Sequence, residues 1–164
     1  IYKGLNDMAD VGLIEPIHTK MHIAQAEGCS PIVEAYDQRS FQVQPVRPNT
    51  IAKSLAIGNP ADGIYVLDIC RETGGAVEDI TDDEVRQGIL LLARTEGIFT
   101  ETAGGTTVGV LKKLVETGQL DTSLETVVIN TGMGLKTLDA VADEVGPAAT
   151  IKPTYAAFTD AGIV

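Results

Sequence analysis

The chain has 164 residues, 44% of them hydrophobic and 21% charged, with a formal net charge of −11. That size and composition suit one compact domain with a real core, while the acidic balance and the scattered Lys and Arg argue against nucleic acid or an anionic membrane as partner. No apolar run is long enough to cross a bilayer, no basic-then-apolar leader opens the chain, and Cys29 and Cys70 form neither a CxxC pair nor a His/Cys cluster, so a membrane span, a disulfide framework and a zinc site are not indicated and a reducing cytoplasm fits best.

The segments alternate along the chain. Ile1 is not an initiator methionine, and IYKGLNDMADVGL begins at once with helix-spaced Ile1, Leu5 and Met8 and no capping residue ahead of them, so the start reads as cut. That helix runs through about Val11 and closes at Gly12. KMHIAQ has strand length and composition, and SPIVEAY returns to helical spacing. Asp37 to Asn49 holds two prolines and little apolar periodicity, which predicts a long surface connection within one partial domain spanning residues 1–164. A short helix TIAKSLA, the turn IGNP and a helix from about Ala61 to Thr73 follow, then a strand AVEDI.

In TDDEVRQGILLLARTEG, Thr81 and Glu84 have capping-box spacing, and Val85, Ile89, Leu92 and Ala93 make one apolar face. After it come a short strand GIFTE, a glycine-opened helix TAGGTTVGVLKKLVETG, a strand ETVVIN and a last helix near LKTLDAVADEV. Such alternation predicts an α/β fold, a mostly parallel sheet with helices on both faces. Ligands of such sheets bind beyond the carboxyl ends of the strands, where the loops after Gln25, Glu101 and Asn130 belong.

Four places along the chain carry a choice of reading. In AIGNPADG, Asn59 and Pro60 have the spacing of an N-cap and a first-turn proline, which capping alone explains. The alternative is that Ala56, Ile57 and Gly58 form a thin wall against a flat ligand. In FTETAGGTT, Glu101 ends a strand before small residues that open a helix; it is either a carboxylate at the binding edge or a solvated side chain beside a tight helix start. VVINTGMGLKT lacks the glycine spacing of a phosphate loop and of a dinucleotide fingerprint, leaving Thr131 and a turn eased by Gly132 and Gly134. His18 and His22 have no nucleophile elbow and no i+4 histidine, so they read as surface or packing residues, and no metal site is expected.

Taken in order, KMHIAQAEGCSPIV, TIAKSLAIGNPADG, DDEVRQGILLLARTEGIF, FTETAGGTTVGVLKKL and VVINTGMGLKT resemble the threonine synthase family, pyridoxal-phosphate enzymes of fold type II, tryptophan-synthase-β-like. The likeness covers roughly residues 1 to 140 and weakens after Ala140. It implies the C-terminal part of the large cofactor-binding domain, with pyridoxal 5'-phosphate as cofactor and O-phospho-L-homoserine and water as substrates of a lyase that releases L-threonine and phosphate. It implies that Thr131 meets the pyridine nitrogen with Gly132 beside it, that Glu101 lies near the ring, and that Ala56, Ile57, Gly58 and Asn59 line one ring face. The glycine-rich phosphate loop and the Schiff-base lysine then lie outside this chain, so Lys136 is a surface or helix-start residue and the chain by itself is inactive without the remainder of its polypeptide. Thr102 departs from the family, which usually has proline there, and a homodimer is compatible with the resemblance. A dehydratase or β-replacement enzyme of the same fold type is one alternative, and a non-catalytic ligand-binding domain is another.

Overall fold

In a computed structural model that describes residues 1–147 and 149–162, two short strands, β1 (Ile23–Ala26) and β2 (Val77–Ile80), run parallel with Ile23 opposite Val77 and Ala26 opposite Ile80. A parallel pair needs a crossover, supplied here by α2 (Pro31–Asp37), the connection and α3 (Gly63–Thr73). Alternate residues of β2 face opposite ways. Val77 packs with Ile32, Val33, Ala35, Leu67 and Cys70 of α2 and α3, whereas Ile80 packs with Val85, Val110 and Leu114 of α4 (Asp82–Glu96) and α5 (Thr102–Glu116). The expected α/β arrangement, helices on both faces of a parallel sheet, is therefore present with two strands among the described residues. None of the helices described is long and apolar enough to cross a membrane.

Local chemistry fixes most boundaries. α1 (Tyr2–Asp10) stops before Gly12, α3 at Gly74 and α4 at Gly97, each glycine in the left-handed region that L side chains avoid. At the start of α4 the capping box is complete: the Thr81 hydroxyl accepts from Glu84 N–H at 3.3 Å and Thr81 N–H donates to the Glu84 carboxylate at 2.8 Å. The Thr81 N–H and the Thr81 hydroxyl, each 2.8 Å from that carboxylate, hold the Glu84 carboxyl below its usual range. Gln25 caps from a strand instead, its Oε1 accepting from Ile32 and Val33 N–H at 2.9 and 3.1 Å and so satisfying the start of α2.

Four expectations need correction. Asn59 does not cap a helix: α3 begins at Gly63 after Asp62, because Gly58 C=O is bonded to Val46 N–H at 2.9 Å and Pro60 C=O takes Gly63 N–H in a separate turn. TIAKSLA is a three-residue 3-10 turn, Lys53–Leu55, because Thr50 and Ile51 are committed to Asp82, which accepts from the Thr50 hydroxyl and Ile51 N–H. GIFTE and ETVVIN form no ladder; a single antiparallel bridge, Thr100 to Met133, joins the two regions, and Val127 is left 77% exposed. The last helix is a 3-10 segment, Gly134–Ala140, broken at Thr137, followed by α6 (Ala142–Val145). A further helix, α7 (Tyr155–Asp160), is capped by the Thr154 hydroxyl, which accepts from Ala157 N–H at 3.2 Å.

His22 is a packing residue with a consequence for pH. Its Nδ1 accepts from Ala76 N–H at 3.0 Å across the β1–β2 junction, so the imidazole is neutral with its proton on Nε2. Burial, aided by the Lys20 charge, pushes its pKa below the ordinary value. The folded state thus binds this proton less readily than the unfolded chain, and the stabilisation present above about pH 6.5 is lost as pH falls below it. Urea midpoints measured from pH 8 to 5 should fall for the wild type, and more shallowly for His22→Phe.

Candidate functional site

The junction between Phe99 and Thr102 and the turn from Asn130 to Thr137 are laced together. Glu101 N–H donates to Gly132 C=O at 3.1 Å, and Gly134 N–H donates to Phe99 C=O at 2.9 Å. The Thr100 hydroxyl, fully buried, lies 2.6 Å from Asn130 Oδ1 and 3.2 Å from the Gly132 carbonyl. Thr102 N–H donates to the Thr137 hydroxyl at 3.1 Å. That last bond explains two departures at once: a proline at 102 would have no N–H to give, and Thr137 leaves helical geometry in making it. Phe99 packs against Gly134 and joins Ile89, Leu90 and Val141, which anchors the laced turn to α4.

Glu101 is the charged centre of this arrangement. It stands at the N-cap of α5 without capping it; its side chain is 4% exposed and its Oε1 receives Lys136 Nζ at 3.1 Å. The reading of Lys136 as a plain surface residue is incomplete, since its stem is exposed but its ammonium is spent on a buried acid. Gly132 forms the floor beneath that carboxylate, for a Cβ there would overlap Glu101 Oε1 and stand 2.9 Å from Glu101 Cγ. Thr131, next to it, is exposed and so free to present its hydroxyl.

The other predicted wall lies beyond the carboxyl ends of the strands. Asn49 N–H donates to Gly28 C=O at 2.8 Å, just after β1, and Asp82, the first residue of α4 after β2, holds Thr50 and Ile51. Ala56 to Asn59 follow the Lys53–Leu55 turn, which is tied to the 134–140 segment by Lys53 Nζ to Asp139 Oδ2 at 3.0 Å. Gly58, however, has a reason unrelated to a ligand: a Cβ would overlap the Val46 carbonyl oxygen. Asn59 lines an open cavity of about 400 Å³ together with Gln42, Gln44 and Ile64. Among the described residues no cluster of His, Cys, Asp and Glu could hold a metal ion.

The donor set suits the ring of a pyridine cofactor. An exposed neutral hydroxyl at Thr131 can donate to or accept from a ring nitrogen, the neighbouring carboxylate is charge-balanced by Lys136, and Thr102 Oγ1 is a buried polar atom with no protein partner at the start of α5. Sequence reasoning singled out Thr131, Gly132 and Glu101 and did not foresee the bonds that Lys136, Asn130, Thr100 and Thr137 make around them. The one signal for them was their polarity in segments that otherwise read as apolar strand or turn.

Comparison with known proteins identifies the family. The sequence matches the family described as pyridoxal-phosphate dependent enzyme over residues 1–132. It is 42% identical over 141 residues to a threonine synthase of Methanocaldococcus jannaschii, covering 85% of this chain and 35% of that protein. It is 38% identical over 144 residues to a threonine synthase of Methanosarcina acetivorans, covering 87% and 35%. A threonine synthase of Halalkalibacterium halodurans is 34% identical over 112 residues, 68% of this chain and 30% of that protein. The chain thus spans about a third of the length of these curated relatives.

Proposed function

The chain belongs to the pyridoxal-phosphate dependent enzyme family, and we propose that the protein of which it forms part is a threonine synthase, converting O-phospho-L-homoserine and water to L-threonine and phosphate. The observation that carries this reading is the likeness to threonine synthases over 85% of the chain, extending through the turn that presents Thr131 beside a buried, charge-balanced Glu101. Pyridoxal phosphate, when bound, supplies an electron sink for the negative charge that develops on the substrate carbons. The chain's own residues orient it. Thr131 would hold the ring nitrogen with a neutral hydroxyl, Glu101 would lie near the ring, and Ala56 to Asn59 would line one of its faces.

The proton-moving lysine is assigned outside these 164 residues. Five of the seven lysines, Lys3, Lys53, Lys112, Lys113 and Lys136, hold carboxylates of this chain. The chain alone is accordingly inactive, and with pyridoxal phosphate and borohydride it should give no stoichiometric lysine adduct.

The full-length protein tests the reading directly. Incubated with O-phospho-L-homoserine, it should release phosphate and threonine in equal amounts; phosphate without threonine, or deamination of serine or threonine in their place, would overturn the assignment.

Thr131 has its own test. Serine keeps the hydroxyl and should be mild, whereas valine keeps the shape and leaves the ring nitrogen unpaired, at a cost of roughly 1 to 3 kcal/mol in cofactor or transition-state binding. Aspartate favours a protonated ring nitrogen and should change the absorption of the bound cofactor and raise side reactions. Wild-type cofactor affinity and turnover in Thr131→Val would place the hydroxyl elsewhere.

A further inference from the structure

We propose that Lys136 is a positioning residue, which fixes the Glu101 carboxylate over Gly132 and so locks the turn carrying Thr131 to the start of α5; its importance for turnover rests on the reading of this site given above. The Glu101 backbone is already held, its N–H on Gly132 C=O and its C=O on Gly105 N–H at 3.0 Å. The side chain is not held by those bonds. Its rotation is limited by the Gly132 surface on one side and by Lys136 Nζ at 3.1 Å on the other.

An ionised carboxylate taken out of water needs a compensating cation or donors, and among the described residues the ion-pair partner of Glu101 is Lys136. Lys136 N–H is itself bonded to Met133 C=O at 3.1 Å, so the ammonium projects from the same turn that carries Thr131 and Gly132. One turn therefore supplies both floor and clamp for the carboxylate. In return, the carboxylate pins that turn to the Phe99–Thr102 junction. Loss of the clamp leaves the turn on its remaining hydrogen bonds: Glu101 can rotate off Gly132, and the turn that carries Thr131 opens more often.

The test uses the full-length protein with Lys136→Met, Lys136→Arg, Glu101→Gln and the Lys136→Met/Glu101→Gln double variant. In the cofactor-free protein, amide exchange at Glu101 and Gly134 should quicken about tenfold in Lys136→Met and stay near wild type in Lys136→Arg, which keeps the charge. In the loaded enzyme kcat should fall about tenfold or more with KM little changed, and the double variant should fall no further than either single one, because the two residues act as a unit. Wild-type exchange in Lys136→Met, or losses that multiply in the double variant, would overturn the role. A wild-type protein that binds no pyridoxal phosphate would instead sink the proposed function, while the exchange measurement still decides whether Lys136 holds Glu101.

Discussion

Gly88→Ala should destabilise the fold while Gly4→Ala stabilises it, although both glycines lie inside helices. Alanine in a helix interior gains up to about 1 kcal/mol over glycine from backbone entropy. At Gly4, on exposed α1, a new Cβ meets nothing within 4 Å and the gain is kept. At Gly88, in α4, the Cβ would overlap the Gly105 carbonyl oxygen of α5 and stand 3.1 Å from Gly109 N. Those are backbone atoms, which no rotamer change can move. The helices must separate, and the space over Gly105 and Gly109 is already taken, by Ile89 of α4 and Ile80 of β2. Overpacking of this kind costs roughly 1 to 3 kcal/mol, which outweighs the entropy gain. Because α4 and α5 cover one face of the sheet and carry Glu101 at the head of α5, the loss should appear in the urea midpoint and in cofactor affinity together. A rise in stability for Gly88→Ala would mean that the helices do not meet at this seam.

What the sequence disclosed and what it hid divide along a physical line. Signals carried by near neighbours were legible: the Thr81–Glu84 capping box, Gly12 after α1, and Val85 and Ile89 on the buried face of α4 all rest on interactions within one or two turns. Signals that need a distant partner were not. Asn59 followed by Pro60 has good capping spacing, yet Gly58 is claimed by Val46, twelve residues upstream, and that pairing moves the helix start to Gly63. Val127 to Ile129 have strand composition, but a strand exists only where an edge pairs with it, and among the described residues that stretch meets none. Gly58 reads as room for a flat ligand and Gly132 as easing a turn; in both, the space of the missing Cβ is taken by the chain itself. Lys136 was hidden for the same reason, since its partner lies thirty-five residues away.

Gly132→Ala should leave the fold standing and disable the site. The new Cβ would overlap Glu101 Oε1, but the obstructing atom is the end of a side chain, so the clash is relieved by rotation of Glu101 and not by movement of backbone. That rotation has a price elsewhere: it takes the carboxylate, 4% exposed where it stands, away from Lys136 Nζ, its compensating charge. The global stability change should therefore be about 1 to 2 kcal/mol, no larger than that of Gly88→Ala, since the turn can give locally. Turnover should drop more than tenfold, because a displacement of about 1 Å in a positioning group is enough to cost about a hundredfold in an oriented site. Pairing Gly132→Ala with Glu101→Gln sharpens the result. If the alanine acts by evicting the carboxylate, the second substitution should cost little more once the first is made; independent, multiplying losses would show that Gly132 serves the cofactor directly and that Glu101 is only its neighbour.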